Sequence, residues 1–149
     1  MTGPGRVLGL DLGDARIGVA VSDDDRRVAV PIGTVHVGQP PGELVAIADL
    51  AREHDANLLV LGLPLSMDGT RGSQATHVEA FADALSSVVH LPIAFQDERL
   101  STVEADRKLA QAGVPARERR RIVDATAAQV LLQAWLDAQG RDAHRSVEG

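Results

Sequence analysis

Hydrophobic positions near the start of the chain recur without helical spacing. Val7 to Leu12 and Ile17 to Val21 are apolar runs of strand length, separated by Gly13-Asp14-Ala15-Arg16. Two such runs around a Gly-Asp turn predict a β-hairpin. A third run, Val28 to Val37, predicts another strand. Pro31 inside it confines that strand to a sheet edge, because proline cannot donate to a ladder on both sides.

Gly38-Gln39-Pro40-Pro41-Gly42 breaks the chain, and from Glu43 the period changes. Leu44, Ile47, Ala48 and Ala51 share one helical face, with Glu43, Asp49, Arg52 and Glu53 assigned off it. Leu58-Leu59-Val60-Leu61 is continuously apolar, the mark of a strand covered on both faces in a parallel sheet. A long connection, Gly62 to Gly72, leads to a second helix capped near Ser73, with Val78, Phe81, Ala82 and Leu85 on its apolar face.

Leu91 to Phe95 predicts a fifth strand, ending in Gln96-Asp97-Glu98-Arg99. Ser101-Thr102-Val103-Glu104 fits a capping box and starts a third helix that Gly113 and Pro115 close. A last helix runs from about Ala116 to Gln139 and stops at Gly140, leaving residues 141–149, like residues 1–5, as frayed tails. The order β-β-β-α-β-α-β-α-α predicts an α/β fold, a five-stranded mixed sheet flanked by helices in one domain spanning 1–149.

Composition narrows the chemistry. The 149 residues are 44% hydrophobic and contain no cysteine, which excludes disulfides, thiolate zinc sites and a thiol nucleophile. No apolar run approaches the roughly 20 residues of a membrane span. The N-terminus lacks a signal-peptide pattern, so the expected location is cytoplasmic. A net charge of −6 argues against a protein that simply coats nucleic acid. Yet the basic residues are all Arg except Lys108, and four crowd into Arg117 to Arg121. Arginine suits bidentate phosphate contacts. Aromatics are only 2%, so base stacking is not the main recognition device.

Three carboxylates sit where apolar residues belong. Asp11 interrupts the first strand, near the end of what would be the central strand, where open α/β sheets carry their sites. Glu98 lies just past the fifth strand. Asp124 precedes Ala127, Ala128, Leu131 and Trp135 on the apolar stripe of the last helix. Taken singly, each acid also fits a cap or an ion pair. Taken together they would repel one another without a cation, and hard oxygen ligands suit Mg²⁺ or Mn²⁺. Such ions support attack of water on a phosphodiester. Beside them, Arg71 in the long loop and Arg119 and Arg120 at the start of the last helix are candidate contacts to a nucleic-acid backbone. The five histidines are scattered and read as packing or surface residues.

Several blocks carry a resemblance: Asp11-Leu12-Gly13 with Arg16-Ile17-Gly18-Val19-Ala20; Gly62-Leu63-Pro64-Leu65 with Met67-Asp68-Gly69-Thr70; Asp97 to Ala105; and Val123 to Ala128. Together they resemble the YqgF (RuvX) family. The resemblance implies an RNase H-like fold related to RuvC-type resolvases. It also implies a metal-dependent nuclease that processes the 5′ end of pre-16S rRNA, or alternatively resolves Holliday junctions in branched DNA. By position, its catalytic and metal-holding acids would be Asp11, Glu98 and Asp124. RuvC-type enzymes place a Glu at the end of the fourth strand, where this chain has Gly62-Leu63-Pro64, so Glu98 would stand in for it. The next acid after Asp124 in the last helix is Asp137, more than three turns on.

Two readings of other classes stay open. Asp11-Leu12-Gly13 also resembles the phosphate-binding hairpin of actin-like sugar kinases, which need two such domains. A non-catalytic nucleic-acid-binding factor in ribosome maturation or transcription is the third. A two-fold junction substrate would suit a homodimer.

Overall fold

The computed structural model describes residues 3–13, 15–38, 42–64, 72–97 and 110–148, and within the last helix it describes no side chain at 117, 119–125 or 141–148. Five strands form one sheet in the order β3-β2-β1-β4-β5. They are β1 (Arg6–Leu12), β2 (Arg16–Ser22), β3 (Ala29–His36), β4 (Ala56–Leu63) and β5 (Ile93–Asp97). Helix α1 (Gly42–Glu53) precedes β4, α2 (Ser73–Ser86) precedes β5, and α3 (Ala116–Glu148) follows.

The hairpin forms as its pattern predicts. β1 and β2 run antiparallel with Leu10 opposite Val19 and Asp11 opposite Gly18. The turn closes through the Gly13 amide donating to the Arg16 carbonyl at 2.9 Å. β3 continues antiparallel beyond β2 and forms the sheet edge that Pro31 demanded. β4 lies parallel to β1, with Leu10 beside Leu61, and β5 lies parallel to β4, with Leu63 beside Asp97. Leu59, Val60 and Leu61 are fully buried, as a strand covered on both faces requires.

Side chains alternate between two cores. Leu8, Leu10, Ile17, Val19, Leu59 and Leu61 pack with Leu44 and Ile47 of α1 and Val78 and Leu85 of α2. On the opposite face Val7, Ala20, Ala29 and Val60 pack under Ala128, Leu132, Trp135 and Leu136 of α3. Burying Leu132 completely contributes ~2 kcal/mol to docking that helix. The α3 seat is also hydrogen-bonded. Gln133 Oε1 accepts from the Ala29 amide at 2.9 Å, and the Gln129 and Gln133 amide groups donate to the Ala29 and Arg27 carbonyls at 3.1 and 2.8 Å.

Three expectations change, and a fourth lies outside the described residues. α2 begins at Ser73 with Gly72 as N-cap and no side-chain cap, so Ser73 is inside the helix rather than capping it. α3 does not stop at Gly140 but runs to Glu148, so residues 141–148 are helical rather than a frayed tail. A glycine ends a helix when it takes the left-handed conformation, as Gly113 does at φ 84°; Gly140 is not among the positive-φ residues and the helix passes through it. Glu43 is buried at 8% exposure instead of lying off the apolar face of α1. It stands one turn before Ile47, so helical spacing places it on the stripe that its charge argued against. The helix expected from Ser101 lies outside the described residues, save for helical Ala110 and Gln111.

Candidate active site at one end of the sheet

The parallel strands β1, β4 and β5 all finish at the same end of the sheet. Through the registers Leu10 beside Leu61 and Leu63 beside Asp97, the residues Leu12, Leu63 and Asp97 stand at one level. Asp11 occupies the penultimate position of β1 and is half-buried there. Alternation puts it on the same face as Val7 and Gly9, the face that α3 covers.

That face is drawn tight against the helix. A Cβ on Gly9 would come within 2.8 Å of Leu132 Cβ, so only a glycine lets α3 approach β1 this closely. Position 124 lies on α3 eight residues before Leu132, about 12 Å along the helix axis at 1.5 Å per residue. The side chain of Asp124 is outside the described residues, as are those of Arg119 and Arg120 in the first turns of the same helix. Glu98 follows directly on β5, whose end is level with Leu12; it and Arg71, which precedes the Gly72 cap, also lie outside the described residues. The structure thus gives Asp11 its setting and the chain positions of the other two acids.

Asp11's donor chemistry fits a hard divalent cation. Its cross-strand neighbour is Gly18. Among the described residues no three His, Cys, Asp or Glu side chains cluster to bind an ion, so a metal here needs acids beyond them.

Three residues near Asp11 escaped the linear reading. On the same face, Gly18 is paired with Thr34 and Arg16 with His36. Thr34 and His36 are exposed and Arg16 is half-buried. Only cross-strand register brings His36 from a scattered histidine to the neighbourhood of Asp11.

The opposite end of the sheet has another character. Asp23, Asp24 and Asp25 are exposed in the β2–β3 turn. Asp23 Oδ1 accepts from the Arg27 and Val28 amides at 2.8 and 3.1 Å. Those amides, Val28 first, hold its carboxyl below the usual carboxylate range. Arg26 ties the turn to the chain start, donating to Gly5 O at 2.8 Å and to Asn57 Oδ1 at 2.7 Å. An open cleft of about 270 Å³, lined by Ala51, Asp55, Ala56 and His90 among others, lies at this end, at the start of β4 and remote from Asp11.

Comparison with known proteins places this arrangement. The profile of the RuvX family, described as a Holliday junction resolvase, matches residues 5–138. A protein of Anaeromyxobacter sp. (strain Fw109-5) named "Putative pre-16S rRNA nuclease" is 47% identical over 134 residues, covering 90% of this chain and 98% of the relative. A protein of Roseiflexus sp. (strain RS-1) with the same name is 43% identical over 136 residues, covering 91% and 96%. Among solved structures, T. thermophilus RuvC in complex with Holliday junction substrate superposes with a TM-score of 0.52 at 13% identity, over 91% of this chain and 96% of that one. The fowlpox virus resolvase with substrate Holliday junction DNA gives 0.54 at 8% identity, over 90% and 98%. These two likenesses establish the fold, an RNase H-like mixed sheet of the RuvC kind. The family match over nearly the whole chain goes further: this chain belongs to the RuvX family.

Proposed function

We propose that this RuvX-family chain is a metal-dependent nuclease that processes the 5′ end of precursor 16S rRNA, with Asp11, Glu98 and Asp124 as its catalytic acids. The observation that carries the reading is the setting of Asp11. A half-buried carboxylate stands at the end of the central strand, on the face beneath α3, where a structural role would favour an apolar residue. The relatives' names supply the RNA substrate, and their match along almost their full length supports carrying it over.

In this reading the three carboxylates hold Mg²⁺ or Mn²⁺. When bound, the divalent cation supplies neutralisation of phosphate charge and a lowered pKa for water. Asp11 and its partner acids orient the attacking water in line with the scissile P–O bond. Water oxygen bonds to phosphorus, the ribose oxygen leaves, and the proton lost by water passes to solvent. Arg71, Arg119 and Arg120 contact the backbone and fix register without reading sequence. The chain works as one domain in the cytoplasm.

Branched DNA is the second reading, favoured by the description of the family as a Holliday junction resolvase. One experiment separates the outcomes. A precursor rRNA 5′ fragment and a four-way DNA junction are incubated with wild type and Asp11→Asn, with Mn²⁺ and with EDTA. Cleavage of the RNA by wild type, lost in Asp11→Asn at unchanged melting temperature and lost in EDTA, is expected. Wild-type cleavage by Asp11→Asn overturns the acid assignment. Cleavage of the junction in preference to the RNA moves the substrate to branched DNA.

A further inference from the structure

We propose that Arg16, Thr34 and His36 form a phosphate track that carries the nucleic-acid strand from the phosphate at Asp11 out across β2 and over the β3 edge. The inference deepens the nuclease reading and rests on it. Two observations carry it.

The first is register. Asp11 pairs with Gly18, Gly18 with Thr34, and Arg16 with His36, so all four side chains other than the glycine arise from one face of three adjacent strands. At one strand spacing of about 4.8 Å each, Thr34 stands roughly 10 Å from Asp11, and Arg16 sits diagonally between them. The second is coverage. α3 packs on Val7, Gly9, Ala20 and Ala29, the part of this face nearer the acidic turn, whereas Thr34 and His36 beyond it are exposed. A strand held at Asp11 therefore has an uncovered path on this side, over Thr34 and His36.

The residue types match a backbone ligand. An Arg fork, a hydroxyl and an imidazole N–H all donate to phosphate oxygens. None of the three is a stacking platform, so the track recognises the backbone common to RNA and DNA and leaves sequence unread.

The test uses the full chain carrying Asp11→Asn, which binds without cutting, and labelled precursor rRNA fragment or four-way DNA junction as probes. Anisotropy titrations at several salt concentrations give Kd and its salt slope. Thr34→Val and His36→Ala, both on exposed positions, are each expected to raise Kd about 2–10-fold, one hydrogen bond's worth. Arg16→Gln is expected to weaken binding and to reduce the salt slope by about one. Arg52→Gln on α1, beside the remote cleft, serves as the control and leaves Kd unchanged. A Thr34→Val/His36→Ala variant with wild-type melting temperature and wild-type Kd on both probes overturns the track. Failure of the catalytic reading is seen separately, as cleavage by Asp11→Asn itself, and leaves weakened binding by the Arg16, Thr34 and His36 variants standing as support for the track.

Discussion

Replacing Gly9 with alanine should loosen the seat of α3 and, through it, the proposed active site. The added Cβ would lie 2.8 Å from Leu132 Cβ and 3.3 Å from its Cγ and Cδ2. Carbon atoms rest at about 3.5 Å or more, so the strand and helix must separate by roughly 0.7 Å. Rotation of the Leu132 side chain relieves the two longer contacts and not the shortest, because both Cβ atoms are fixed to backbone. The helix cannot drift freely either, since Gln129 and Gln133 hold it to Ala29 and Arg27. Overpacking of this kind costs ~1–3 kcal/mol, or roughly 3–10 °C in melting temperature for a domain of this size. A displacement approaching 1 Å between catalytic groups costs up to about 100-fold in rate. Thermal denaturation and cleavage assays at 25 °C on Gly9→Ala check both numbers. Leu132→Ala added to Gly9→Ala should restore little, as it keeps the offending Cβ. A Gly9→Ala protein that melts and cleaves like wild type refutes the argument that this contact sets the distance between β1 and α3.

Other expectations follow from single groups. Glu43 is buried and its Oε2 finds no hydrogen-bond partner among the described residues, so Glu43→Leu should raise the melting temperature, by about 2–4 °C for each kcal/mol recovered; a lower value would show the carboxylate stabilises the fold. Asp23 has its folded pKa held below its ordinary 3.8 by the Val28 and Arg27 amides. Its stabilising contribution is therefore complete above that ordinary value and is lost as pH falls through the folded one. Asp23→Asn, which keeps an acceptor oxygen, should flatten the fall in melting temperature as the pH drops below 3.8, and parallel curves there would refute this. Arg26→Ala removes the donors that bind Gly5 O and Asn57 Oδ1 and should cost ~1–3 kcal/mol in chemical denaturation while leaving cleavage intact at 25 °C. A loss of cleavage in that folded variant would link the two ends of the sheet.

Much of this protein was written in local pattern. Strand-length apolar runs around Gly13 and Asp14 dictate a hairpin wherever they occur, because burying one face of each run requires a partner strand. Pro31 excluded β3 from the interior of the sheet, and the unbroken run Leu58 to Leu61 required cover on both faces. Asp11 stood out for the same reason: a charge amid apolar neighbours is costly unless the site uses it. Arg16, Thr34 and His36 could not be linked to it, since their proximity depends on cross-strand register, which pairs residues far apart in the chain. Glu43 shows the reverse failure. Its polarity argued for solvent, and the packing of α1 on the sheet buried it regardless. Gly9 is an ordinary small residue until α3, more than a hundred positions later, comes to rest on it. Local propensity and periodicity are carried by neighbours in sequence; register, helix seating and the closeness of two backbones arise only when distant segments compete for the same space.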